Sequence, residues 1–199
     1  MRLNQGKRQV LFVDECHLLW GDVTGYVWAA AFGGKFSPET CLGKTNQRIE
    51  VPVVNERQRQ TYFGALNYCT KEFVVKSYAQ GNSESTIEFL QYLQQQYSQQ
   101  RLALFWDGAS YHRSAQLKAY LQAVNQDLVQ DDWQIICTRF APNAPEQNPV
   151  EDVWLQAKRF IRQCYHLCKS FAVVKFLFEF LTHRQVFDFP KLSIYDSSS

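Results

Sequence analysis

No apolar run in the 199-residue sequence approaches the length of a membrane span. The N-terminal stretch MRLNQGKRQVLFVDECH carries basic residues and a short apolar run. It lacks the longer apolar region and small-residue cleavage site of a signal peptide. Charge of one sign is also lacking. Twenty-one Lys and Arg face nineteen Asp and Glu, a net of +2, so any basic surface must come from local clustering. Six cysteines sit mostly among apolar residues and do not form the dense pattern of a disulfide framework. They suit buried thiols in a reducing compartment, and a cytoplasmic location is expected. There is no internal repeat and no convincing linker. What is abundant is apolar and aromatic residues, 46% and 15% of the chain, enough for the core of one domain. The expected division is a domain over residues 1–185 and a C-terminal tail over 186–199, with SIYDSSS frayed.

The pattern along the chain predicts mixed elements. QVLFVD (9–14) reads as a buried strand ending in an acid. Residues 24–32 predict a second strand, followed by a Gly-, Pro- and Asn-rich loop over 32–47. Segments 47–54, 60–68 and 72–78 read as strands, the last two joined as a hairpin through Asn67 to Lys71. Ile87, Leu90, Leu93 and Tyr97 recur at helical spacing over 84–98, with Asn82 or Ser83 as N-cap. LALFWD (102–107) is another apolar strand ending in an acid. A helix near 113–125, a strand at 133–138, a helix over 149–168 and a buried helix containing FAVVKFLFEFL complete the order. This succession predicts an α/β fold with a mixed sheet.

Three acids stand out. Asp14 and Asp107 each close an apolar strand, and the carboxyl ends of strands are where α/β proteins bind ligands. Glu151 opens a helix within APNAPEQNPVEDVW (141–154). Asn148 and Pro149 suit the N-cap and first helical position, which puts Glu151 at the glutamate position of a capping box. Two readings of Glu151 therefore stand side by side. It can cap its own helix, or it can join the two aspartates. Three converging carboxylates repel one another unless a cation balances them, and hard oxygen donors suit Mg²⁺ or Mn²⁺. Glu15 points to the opposite strand face from Asp14 and reads as structural. Cys164, His166 and Cys168 lack the register for zinc, because 166 leaves the helical face shared by the other two.

Taken in order, VDE (13–15), GYVWA (25–29), RQTYFGALN (59–67), DGASYH (107–112) and NPVEDVW (148–154) resemble the catalytic domain of mariner-type transposases, in the bacterial insertion-sequence branch with a DDE triad. The motifs span about residues 10–165. The resemblance implies a ribonuclease H-like fold, a mixed β-sheet flanked by helices. It implies that Asp14, Asp107 and Glu151 are the catalytic and metal-binding triad for two Mg²⁺ or Mn²⁺ ions. The implied activity is metal-dependent DNA cleavage followed by strand transfer of a 3′-hydroxyl into target DNA. Implied partners are double-stranded transposon ends and target DNA, a second copy in a homodimer, and a separate helix-turn-helix subunit, since the sequence starts at the first catalytic strand. The implied location is the nucleoid. His112 is expected near the site, to orient a carboxylate or meet a phosphate. Lys158, Arg159 and Arg162, with Lys169, are expected to meet DNA phosphates.

Three features depart from the family pattern. Forty-three residues lie between Asp107 and Glu151, a long second spacing. Gly108 follows the second aspartate where the family often has Asn, and 32–47 is longer than the usual connection. Two other readings stay open at this level: a catalytically incomplete remnant that only binds DNA or oligomerises, and a different ribonuclease H-like nuclease.

Overall fold

The structure is a computed structural model and describes residues 8–23, 27–30, 46–49, 58–141, 147–190 and 192. Its centre is a six-stranded mixed sheet in the order β7-β6-β1-β4-β5-β8. The strands are β1 (Arg8–Leu19), β4 (Arg59–Asn67), β5 (Glu72–Tyr78), β6 (Arg101–Trp106), β7 (Ile135–Arg139) and β8 (Gln185–Val186). β1, β6 and β7 run parallel, while β1, β4, β5 and β8 pair antiparallel. A separate two-stranded ladder joins β2 (Val27–Ala30) to β3 (Asn46–Ile49), pairing Val27 with Ile49 and Ala30 with Asn46. The rest of the expected strands at 24–32 and 47–54, and most of the 32–47 loop, lie outside the described residues.

Period-two alternation divides the core between the two sheet faces. Phe12, Cys16, Leu18, Tyr62, Leu66, Phe73 and Val75 face one way. They are covered by α3 (Pro149–Gln163) and α4 (Phe171–Thr182), through Val153, Trp154, Ile161, Val174 and Phe178. Leu11, Val13, Phe63, Ala65, Val74, Leu102 and Leu104 face the other way, under Phe89, Leu90 and Leu93 of α1 (Ser83–Gln96) and Leu117 of α2 (Ala115–Val124). Burial on both faces explains why β1 and β6 read as near-continuous apolar runs. Each fully buried Leu or Phe contributes about 1.5–3 kcal/mol of burial free energy.

Local chemistry sets the helix starts. Asn82, Ser114, Asn148 and Ser170 are the N-caps, and each side chain accepts a bond from a first-turn amide. The β4–β5 hairpin turns where expected. Asn67 Oδ1 accepts from the amides of Cys69 and Thr70, and Lys71 takes φ of 60°.

Four expectations need correction. β1 does not stop at Asp14, because its antiparallel ladder with β4 continues from Asp14↔Gly64 to Leu19↔Arg59. Only the parallel ladder with β6 ends before it, at Phe12↔Phe105. The helix expected over 149–168 ends at Gln163, where a 3-10 turn over Tyr165–Leu167 takes over. α4 is not buried all round: Val174 and Phe178 pack inward, but Phe176 and Phe180 stack on each other in solvent. The helix expected from 113 begins at Ala115, because Ser110–Arg113 forms its own 3-10 turn.

Candidate active site

β1 and β6 lie side by side and parallel, and their shared ladder ends at one rim of the sheet. Asp14 follows Phe12 by two residues and Asp107 follows Phe105 by two. Phe12 and Phe105 are the last parallel pair, and their rings meet at 5.8 Å on the face covered by α3. Within β1 the two-residue step carries the Asp14 carboxylate toward that face, and Asp107, one residue past the end of β6, lies close enough for its charge to bear on Asp14. Glu151 sits in the first turn of α3, which packs on the same face. The sheet and one helix therefore bring Asp14, Asp107 and Glu151 to a common rim.

Their mutual electrostatics record this proximity. The Asp14 carboxyl is pushed up to about 7, first by burial and then by the charges of Asp107 and Glu151. Hydrogen bonds from the Glu15 amide and the Trp154 indole oppose that rise. Trp154 Nε1–H donates to Asp14 Oδ2 at 3.1 Å. Glu15 is raised to about 8 by burial and then by Asp107 and Asp14. Although it faces away from Asp14 along the strand, its carboxyl shares the same negative field.

Asp107 is held differently. Its carboxyl is lowered from the ordinary value, chiefly by the hydrogen bond from His112, against an opposing effect of burial. His112 Nδ1 lies 3.1 Å from Asp107 Oδ1, and the Ala109 amide donates to the same oxygen at 3.0 Å. The imidazole is buried and stacks on Trp106 at 4.3 Å with 7° between planes. Its Nε2 is buried without a hydrogen-bond partner. His112 thus holds a carboxylate and packs against Trp106 at once. Trp106 is core, with 3% exposure.

Glu151 is exposed. The buried side of that turn is filled by Pro149, Val150, Val153 and Trp154. Asn148 caps the helix by accepting from the Val150 amide at 3.2 Å. Among the described residues, no three His, Cys, Asp or Glu side chains are disposed to hold one ion as they stand. The donors at the rim are nonetheless all carboxylate oxygens, and the charges of Asp107 and Glu151 raise Asp14, which is the chemistry a hard divalent cation balances.

Of the basic residues expected at the site, Lys158, Arg159 and Arg162 lie along α3, whereas Lys169 is exposed between the Tyr165–Leu167 turn and α4. Glu151, Lys158 and Arg162 recur at seven and eleven residues and so share one helical stripe. Arg159 sits further round and is exposed. Lys158 Nζ donates to the carbonyl of His17 at 3.0 Å, tying the stripe to β1 three residues beyond Asp14. Sequence reasoning missed two contributors. Trp154 read only as a core residue, although its spacing of three from Glu151 puts it one turn along the same helix. Gly64, the cross-strand partner of Asp14, carried no signal of its own.

The family model described as DDE superfamily endonuclease matches residues 9–171. No curated protein matches the chain. Among solved structures, a chain of the simian T-cell lymphotropic virus intasome in complex with PP2A regulatory subunit B56 gamma aligns at 7% identity and a TM-score of 0.52, covering 92% of this chain and 51% of that one. A Mos1 transposase paired-end complex with left transposon end aligns at 12% identity and TM-score 0.48, covering 96% and 48%. The catalytic domain of Mos1 mariner transposase aligns at 12% identity and TM-score 0.42, covering 86% and 69%. The chain spans about half the length of the first two of these. At such identities the first of them bears on the fold alone, which is the expected ribonuclease H-like one. The match over residues 9–171, most of the sequence, carries the assignment: the chain belongs to the DDE superfamily of endonucleases.

Proposed function

We propose that the chain is the catalytic domain of a mariner-type transposase from the bacterial insertion-sequence branch, cutting DNA at element ends and joining them to a target. The observation that carries this reading is the rim itself. Asp14 and Asp107 stand just past the last rung of the parallel β1–β6 ladder, and the charges of Asp107 and of Glu151, which opens α3, both bear on Asp14. In this reading Asp14, Asp107 and Glu151 hold two Mg²⁺ or Mn²⁺ ions. Bound there, the ions supply an activated water or 3′-hydroxyl and stabilise the leaving oxygen of the phosphodiester.

The chain's own residues do the remaining work. His112 holds the Asp107 carboxylate through Oδ1 and is itself fixed by stacking on Trp106. Lys158 and Arg162 extend the Glu151 stripe along α3, placed to meet the phosphates of a duplex lying across the rim, with Arg159 at its flank. The partners are double-stranded element ends and target DNA. Homodimer formation and a helix-turn-helix subunit follow from the resemblance, as does action at the nucleoid.

The test is cleavage of a plasmid carrying candidate element ends. Nicking that requires Mg²⁺ or Mn²⁺, and is lost in Asp107→Asn and Glu151→Gln with unchanged circular dichroism, is the expected result. Cleavage that persists in both variants would overturn the reading. A Glu151→Gln variant that cuts normally but melts earlier would assign Glu151 to helix capping instead.

A further inference from the structure

We propose that Trp154, seated in the space left open by Gly64, is a positioning residue that fixes the Asp14 carboxylate for its ion. The inference rests on the reading of Asp14 as a metal ligand. It begins with the β1–β4 register, in which Asp14 and Gly64 stand directly opposite each other. Side chains at such a pair are ordinarily neighbours, about 4.5–5.5 Å apart at Cβ. Here one of them is missing, and an indole fills the gap. A Cβ added at Gly64 would stand 2.5 and 2.7 Å from two ring carbons of Trp154, and closer still to the tip of the Phe73 ring. No side chain fits there while the indole stays where it is.

The indole is clamped. Phe73 meets it edge-on at 5.0 Å and Phe178 stacks on it at 5.6 Å, and Trp154 is 6% exposed. From this fixed seat Nε1–H donates to Asp14 Oδ2 at 3.1 Å. An indole N–H only donates, so the bond engages one carboxylate oxygen and leaves Oδ1 unclaimed by Trp154. Because Trp154 and Glu151 are three residues apart on α3, one contact braces both. It sets the rotamer of the first carboxylate and the distance of the third carboxylate's helix from β1.

A purely structural role would also give a buried indole N–H a partner, so the test must separate the two. Trp154→Phe keeps an aromatic ring in the clamp and removes the donor. Phe89→Leu trims the core on the other face of the sheet and leaves the donor and its clamp in place. In calorimetric titration with Mn²⁺ alone, Trp154→Phe is expected to weaken binding about tenfold. Phe89→Leu should lower the Tm yet bind Mn²⁺ within about twofold of wild type. Unchanged affinity in folded Trp154→Phe, or equal weakening in both variants, overturns the proposal. Asp14→Asn separates the two levels. If it binds Mn²⁺ normally, Asp14 is no ligand. If it loses Mn²⁺ while Trp154→Phe keeps it, the positioning role alone fails. Should Trp154→Phe not fold, the wild-type chain decides: the Trp154 indole N–H resonance shifts when Mg²⁺ is added, and a resonance that stays put overturns the proposal.

Discussion

Asp14 and Asp107 both stand just past the last rung between neighbouring parallel strands, yet they are held in opposite ways. Asp14 lies within β1, beneath α3, and its carboxyl is raised to about 7 by burial and by its acidic neighbours. Asp107 has left β6, its side chain is 52% exposed, and His112 pulls its carboxyl below the usual value. The aromatic support differs too. Trp154 donates directly to Asp14, whereas Trp106 acts through the imidazole stacked on it. One member of the pair stores electrostatic tension that a cation can relieve. The other is kept charged and oriented in advance.

The largest expected effect ignores this difference. Asp14→Asn and Asp107→Asn should each reduce DNA cleavage by about a thousandfold, since several kcal/mol of charge stabilisation at phosphorus are lost either way. The difference returns in metal-free stability. At pH 8 a charged, buried Asp14 costs folding free energy, so Asp14→Asn should stabilise the metal-free protein, on the order of 2 kcal/mol. Asp107→Asn should destabilise it, because a favourable charged hydrogen bond is lost. Thermal melts in EDTA check both signs, and shifts in the same direction would dissolve the contrast.

The pH profile sharpens it. Asp14 and Glu15 have folded values above their unfolded ones. Their contribution is fully present below the unfolded values near 4 and is lost as pH rises through about 7 to 8. Metal-free stability should therefore fall between pH 5 and 8, and Asp14→Asn should flatten that fall. Asp107 has the opposite sign. Its stabilisation is present above its ordinary value of 3.8 and is lost on acidification. Urea unfolding across pH reads out both limbs.

How much of this the sequence showed depended on how far each feature is local. Asn82 and Asn148 cap helices by accepting from amides three and two residues on, so the starts of α1 and α3 are written in short segments. The apolar runs at 9–14 and 102–107 announced strands buried on both faces. The extension of β1 beyond Asp14 was not legible, because it depends on pairing with residues 59–64, some fifty positions away. The exposure of Glu151 follows from the packing of α3, whose first turn buries Pro149 and Val150 instead. The three acids could be picked out singly from strand ends and a helix start. Their convergence came from the family pattern, and the Trp154–Gly64 contact beneath Asp14 came only from the fold.

Two smaller effects probe the Asp107 side. His112→Phe keeps a ring on Trp106 and removes the bond to Asp107, so cleavage should fall about tenfold while the Tm moves by only a few degrees. A loss as large as that of Asp107→Asn would make His112 more than an orienting group. Arg162→Ala should weaken DNA binding modestly and reduce the salt dependence of binding by about one unit of slope, without altering cleavage at saturating DNA.

Mn²⁺ titration of the wild-type chain beside Asp14→Asn and Asp107→Asn, followed by electron paramagnetic resonance, is the most direct test of the rim as a metal centre. Binding in the wild type that is lost in both folded variants is the expected result. Binding that survives in both would contradict a centre built where the β1–β6 ladder ends.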